Sequence, residues 1–171
     1  PDHIGGLVVG DQLAFPNARI HIAGAEWDFW NADGFATAAP EAMRPMIGLV
    51  QDISRIVDNN VSLHSGSGNI GGGVNVIPAV GHTPGHTAIV LEDGQEQVIL
   101  VGDLTVHEAV HFANPDFGWA LDIDGDMAVR SRKSLLDLIA SDQMVMGAAH
   151  VSEPGLGRVE RAGNGFRFIP L

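Results

Sequence analysis

This sequence predicts a mixed α/β domain built in layers, and three observations lead there. Short β-like runs recur along the chain. Two stretches carry helical apolar periodicity. Several of the apolar runs end in Gly-His, Gly-Asp or Ala-His. In layered α/β folds, strand ends are where a rigid backbone presents functional side chains. The 171 residues, 45% of them hydrophobic, suffice for one substantial core, so a single domain over residues 1–171 is expected.

In chain order, strands are expected at "ARIHIA", "VNVIPAV", "TAIVLE", "QVILVG", "MVMGAAH", "RVERA" and "FRFIPL". "LEDGQEQ" joins two of them and carries the Asp93-Gly94 hairpin signal. "GSGNIGGG", Gly66 to Gly73, is the loosest stretch and reads as a loop. A helix fits "PEAMRPMIGLVQDISRIV", which Pro45 should kink or restart because proline cannot donate a helical hydrogen bond. A second fits "DMAVRSRKSLLDLIAS", where Leu135, Leu136, Leu138 and Ile139 make an apolar stripe and Asp126 sits near the positive end.

Composition excludes several classes. The net charge is −12 with only nine Lys and Arg, a surface that repels phosphate backbones, so nucleic acid is not an expected partner. No apolar run reaches the length of about 18 residues that a membrane-spanning helix needs. There is no cysteine, hence no disulfide and no thiolate ligand, and the compartment stays undetermined. Tyrosine is absent too.

Five residues stand out by their chemistry. Asp2, His3, His82, Asp103 and His150 each follow a β-like run or sit in a glycine-flanked loop. Nitrogen and oxygen donors of this kind suit zinc, and also manganese, iron or cobalt. Taken singly, each has an ordinary reading as a hydrogen-bonded loop histidine or a turn-forming aspartate. Their joint occurrence shifts the balance. "GHTPGHT" fixes a tight turn at His82 with Pro84 and two glycines, and "VILVGD" delivers Asp103 from a buried apolar strand. A carboxylate there is costly unless a cation shares its charge.

These stretches, in this order, resemble the metallo-β-lactamase superfamily. The resemblance implies a four-layer αββα sandwich that binds two metals through His-x-His-x-Asp-His, a later His, a bridging Asp and a final His. "PDH" matches the end of the first motif, His82 the second, Asp103 the third and His150 the fourth. By that pattern one metal takes Asp2, His3, His150 and the bridging Asp103. The other takes His82, Asp103 and two histidines expected ahead of Pro1. The sequence is accordingly expected to be the C-terminal portion of the sandwich, lacking its N-terminal part.

Within the superfamily, the absent cysteine argues against the best-known penicillin-hydrolysing type, and Asp103 against the branch that lacks a bridging aspartate. Only 21 residues follow His150, too few for the appended helical domain of glyoxalase II enzymes. The missing tyrosine argues against the well-studied acyl-homoserine lactonases, and the acidic charge against the nuclease members. The chain most resembles the methyl parathion hydrolases, on "DQLAFPNA", "DFW", "GHTPGHT", "GDL", Leu121-Asp122, "PGLG" and "GNGFRFIP". That resemblance implies an apolar pocket over the metals, with Trp30, Val106 and Leu121 at pocket positions. Phe35 or Met46 would supply a further wall. His107 and His111 depart from it, placing polar groups near an apolar lining.

Plainer readings stand beside these. Trp27, Phe29 and Trp30 also fit a core cluster, and small-molecule pockets are themselves mostly apolar. His86 is expected beneath the His82 turn, hydrogen-bonded behind the ligands, rather than as a ligand. His21 and His64 receive no site role. The acidic excess at Glu92, Asp93, Glu96, Asp122, Asp124 and Asp126 reads as solvated surface. "DIDGD" lacks the spaced ligands and closing Glu of a calcium loop.

The function expected is hydrolysis. Two divalent metal ions, zinc first, about 3.5–4 Å apart would hold a bridging hydroxide and polarise the electrophile. Asp2 and Asp103 would serve that centre most directly. Substrates would be small-molecule esters, lactones or phosphotriesters, with no nucleic acid or membrane partner and a possible homodimer. A lactonase of the same superfamily is one alternative. A non-catalytic binding module that keeps the scaffold is the other.

Overall fold

A computed structural model describes residues 3–94 and 96–171 of the chain, so the expectation for Asp2 lies outside the described residues. The chain divides into two units, Pro1–Ser65 and Gly66–Leu171. The first is a β-α-β arrangement. Strand β3 (Ile20–Ala23) pairs in parallel with β4 (Val61–His64), in register from Ile20 with Val61 to Ala23 with His64. A parallel pair needs a crossover. Here it runs through α1 (Gly24–Asn31), α2 (Phe35–Ala38) and α3 (Arg44–Val57). Two-residue strands β1 (Val8–Val9) and β2 (Gln12–Leu13) form a small antiparallel pair ahead of it.

Helix α3 buries Ile47, Val50, Ile53 and Val57, one stripe at helical spacing. Pro45 restarts this helix rather than kinking it. A 3-10 turn at Glu41–Met43 leads in, and the proline falls in the first turn of α3, where no intrahelical N–H bond is required. Phe29 and Trp30 of α1 meet Phe35 of α2 in an aromatic cluster, with ring centroids 4.8 to 6.0 Å apart.

The second unit is built on a seven-stranded sheet among the described residues. Its strands are β5 (Gly68–Gly71), β6 (Val74–Pro78), β7 (Thr87–Asp93), β8 (Glu96–Leu100), β9 (Val145–Gly147), β10 (Leu156–Ala162) and β11 (Gly165–Pro170). They lie side by side in sequence order, antiparallel throughout except between β8 and β9. That parallel step is spanned by a long connection carrying α4 (Glu108–His111) and α5 (Gly125–Asp142).

Alternation decides which face of the sheet is covered. Ala88 and Val90 of β7 are buried, and they join Ile99, Met146, Val159 and Phe168 in one core with Leu135, Leu136 and Ile139 of α5. Asp124 starts α5 as its cap, the side chain accepting from the Met127 N–H at 2.9 Å. The stretch expected to be loop, Gly66 to Gly73, differs. Residues Gly68–Gly71 form edge strand β5, pairing with β6 through a bulge between Asn69 and Gly71. Backbone pairing with an ordered neighbour outweighs the poor strand propensity of glycine, and the positive φ of Gly72 and Gly73 then makes the turn.

Leu136 is fully buried at the centre of this core. Leu136→Ala is expected to cost about 2–5 kcal/mol, since the surrounding side chains close only part of the cavity left behind. Urea unfolding of the two proteins checks this, with the shift appearing in the midpoint and not in the slope.

Candidate metal centre

Three of the expected donors emerge from one end of the second unit's sheet, for a topological reason. β6 is antiparallel to β7, β7 to β8, and β8 is parallel to β9. The C-terminal ends of β6, β8 and β9 therefore share one edge. His82 follows β6, Asp103 follows β8 and His150 follows β9. Ligand sites in α/β sheets favour such carboxyl ends.

The side chains meet there. His150 Nε2 lies 3.0 Å from Asp103 Oδ1, and His82 Nε2 lies 3.3 Å from Asp103 Oδ2. One carboxylate thus faces an imidazole on each oxygen, with its side chain only 14% exposed. The hydrogen bond to Asp103, then that to Asp122, holds His82 above the ordinary imidazole pKa, against the opposing effect of burial. A nitrogen and oxygen donor set with a two-sided carboxylate fits zinc and the other divalent metals named above.

Backbone chemistry aims Asp103. Gly102 and Asp103 lie in a 3-10 turn, Asp103 near the bridge region at φ −91° and ψ 24°. The Asp103 N–H donates to His86 Nε2 at 3.1 Å, and His86 Nδ1–H donates to the Ala79 carbonyl at 2.9 Å. His86 is consequently a brace between two strand ends. Gly102 has φ +50°, and a Cβ there would come within 2.9 Å of His86 Nε2. The turn carrying His82 is fixed in the same way. Gly81 has φ +129° and would place a Cβ 2.1 Å from the Ala128 nitrogen at the start of α5. Ile123 and Asp124 N–H groups donate to the carbonyls of His82 and Gly81 at 3.1 and 2.9 Å.

A family model described as the metallo-beta-lactamase superfamily matches residues 1–150. The chain belongs to that superfamily. Its relatives include a probable metallo-hydrolase of Mycobacterium tuberculosis, 30% identical over 62% of this chain and 34% of that protein. A probable metallo-hydrolase of Mycobacterium bovis matches equally, at 30% over the same shares of 62% and 34%. Among solved structures, the dizinc quorum-quenching lactonase AidC, in complex with an acyl-homoserine product, is 33% identical with a TM-score of 0.87, covering 98% of this chain and 60% of AidC. The hydrolase AbOPH of the beta-lactamase superfamily is 28% identical with a TM-score of 0.88, covering 100% of this chain and 61% of AbOPH. The chain spans about a third of the length of these curated relatives and about three-fifths of the solved chains.

In this superfamily chain the other expected site residues fall as follows. His3 is an exposed turn residue of the first unit. Trp30, also in the first unit, is half-buried, and its Nε1–H donates to Glu26 at 2.7 Å. Val106 is half-buried after the Asp103 turn, and Leu121 is exposed on the loop ahead of α5. Of the two departing histidines, His107 is exposed and His111 is wholly buried.

One expectation is overturned. Asp122 is not solvated surface: its side chain is 2% exposed, and Oδ1 accepts from His82 Nδ1 at 2.9 Å. The loop folds inward there because Arg132, itself buried, gathers it. Arg132 donates to the carbonyls of Leu104, Pro115 and Phe117 and lies 3.8 Å from Asp122. Burial lowers the Arg132 pKa and the Asp122 carboxylate opposes that. Sequence reading missed Arg132, which sits among charged helix residues. The usable signal was its position directly opposite the polar face, between Ala128 and the apolar Leu135-Leu136 pair.

His111 provides a pH test. Its Nδ1 accepts from the Val106 N–H at 3.1 Å, so Nε2 carries the proton, buried without a partner among the described residues. Burial first, then the Arg132 charge, lowers its pKa to about 4. Between the ordinary value of 6.5 and about 4, the unfolded chain binds a proton that the folded chain refuses. Stability is therefore lost as pH falls through that window. His111→Phe is expected to flatten this part of the profile, even if it lowers stability overall by stranding the Val106 N–H. Urea midpoints for both proteins from pH 7 to pH 4 check it.

The glycine before Asp103 gives a second test. Gly102→Ala is expected to lower both stability and metal binding, because the new Cβ must displace His86 and the His86 bond aims Asp103. Thermal melts with and without added zinc separate the two effects.

Proposed function

We propose that the protein is a metal-dependent hydrolase of small-molecule esters, lactones or phosphotriesters, with Asp103 as the carboxylate shared between two metal positions. The observation that carries this reading is the placement of His82 and His150 on opposite oxygens of Asp103. His82 and Asp103 would serve one position, Asp103 and His150 the other. By the superfamily's motif, Asp2 and His3 would add to the His150 position, and Asp2 and Asp103 would be the carboxylates that serve the reaction most directly. Two divalent ions, zinc first, supply an activated water and a Lewis acid when bound.

The chain's own residues do the rest. His86 holds the Asp103 backbone, so the carboxylate is aimed before any ion or substrate arrives. The apolar side chains of Phe117, Trp119, Leu121 and Ile123 are exposed along the loop that packs on the His82 turn. They offer apolar surface to the alkyl or aryl part of a substrate. Trp30, Val106 and Leu121 keep the pocket roles that the methyl parathion hydrolase resemblance implies. An aryl leaving group needs no proton donor to depart. AidC, with its lactone-derived product, supports the lactone class, and AbOPH supports hydrolysis in general.

Metal content and turnover test the proposal. Asp103→Ala is expected to abolish tight binding of the metal pair, while His86→Ala, which removes the acceptor of the Asp103 backbone N–H, should reduce it far less. Elemental analysis of both variants reads this directly, and equal losses would overturn the division of roles. Turnover should be measured on an aryl ester, an acyl lactone and an aryl phosphotriester. Full activity after chelation, or none toward all three classes with metal restored, would sink the hydrolase reading.

A further inference from the structure

We propose that Asp122 is a positioning residue of the metal centre, holding the His82 proton on Nδ1 so that Nε2 is the nitrogen offered to a metal ion beside Asp103. The inference rests on the reading of His82 as a ligand. Its starting point is a chain of contacts inside the second unit: Asp103 Oδ2 to His82 Nε2 at 3.3 Å, then His82 Nδ1 to Asp122 Oδ1 at 2.9 Å. His82 faces a carboxylate, which can only accept, at each ring nitrogen; with a cation beside Asp103 the ring keeps its one proton on Nδ1, against Asp122, and offers Nε2 as the ligand atom. A histidine that ligates a metal through one nitrogen is commonly oriented in this way by a carboxylate on the other.

Asp122 is itself held from three directions. Its Oδ2 accepts from the Trp119 N–H at 3.3 Å, and the Arg132 guanidinium stands 3.8 Å from the same oxygen. The next two residues, Ile123 and Asp124, donate backbone N–H groups to the carbonyls of His82 and Gly81. The Asp122 backbone is thereby placed beside the His82 turn whatever its side chain does. Were Asp122 present only to neutralise Arg132, that contact would be expected to be its closest. Its shortest contact is instead the one to His82, and the guanidinium is occupied by three backbone carbonyls.

The test uses zinc alone as the probe and two readouts other than activity. In the zinc-loaded full-length protein, nitrogen-15 NMR should show His82 protonated at Nδ1, with a low-field proton from the bond to Asp122 and Nε2 metallated. Asp122→Ala should lose that proton signal and bind zinc ten- to a hundredfold more weakly, measured against a chromophoric chelator. His82→Ala is the control for the underlying reading: if it binds zinc like wild type, His82 is not a ligand and the premise falls, whatever Asp122 does. If His82→Ala loses zinc while Asp122→Ala keeps both the affinity and the signal, the positioning role is overturned and the ligand reading stands. Should Asp122→Ala not fold, the wild-type spectrum decides, because His82 metallated at Nδ1 is incompatible with the proposal.

Discussion

The parallel pairing of Leu100 with Gly147, at the ends of β8 and β9, is the contact on which the candidate centre depends. A sheet of hairpins alone would send neighbouring strand ends to opposite edges. Here one parallel step, spanned by the connection that carries α5, brings the exits of β8 and β9 together. Asp103 and His150 are 47 residues apart in sequence, yet their side chains meet at 3.0 Å. The price is a long loop-and-helix connection whose own polar groups must be satisfied.

Arg132 satisfies many of them. A buried guanidinium would be a poor choice for stability alone, because desolvation offsets much of what its contacts return. Its value lies in geometry: five donors in a rigid fork can gather several carbonyls at once. Three carbonyls from two separate stretches of the connection converge on it, and Asp122 of the same connection is buried between Arg132 and His82. Helix α5 thus does two jobs. Its apolar stripe covers the sheet, and one buried arginine from the same helix shapes the loop behind His82.

Much of this was legible in the sequence, and what was not has definite causes. The helical periodicities at 44–57 and 125–142 survive folding because apolar side chains at that spacing can only be buried on a helix. His82, Asp103 and His150 could be singled out because strand ends leave a local signature, an apolar run broken by glycine and a polar residue. Asp122 left no such mark. It stands among acidic neighbours that are exposed, and its contacts with His82 and Arg132, forty and ten residues away, separate it from them. The strand at Gly68–Gly71 was hidden for another reason: its order comes from the neighbour it pairs with and not from its own side chains.

His82 and His86 show how one short motif carries two distinct duties. They are four residues apart in "GHTPGHT", with rings 5.8 Å between centroids, yet their hydrogen bonds end on different groups. His86 donates from Nδ1 to a backbone carbonyl and accepts at Nε2 from the Asp103 backbone, so both nitrogens are consumed by the fold. His82 instead meets a carboxylate at each nitrogen, the anchored Asp122 at Nδ1 and Asp103 at Nε2. The two rings differ in what lies behind Nδ1: a main-chain carbonyl for His86, an ionisable carboxylate for His82. A carboxylate there raises the basicity of the opposite nitrogen, which is the property a ligand needs and a brace does not. Under the proposed function, the same residue type becomes structural or chemical according to the acceptor the fold places behind it.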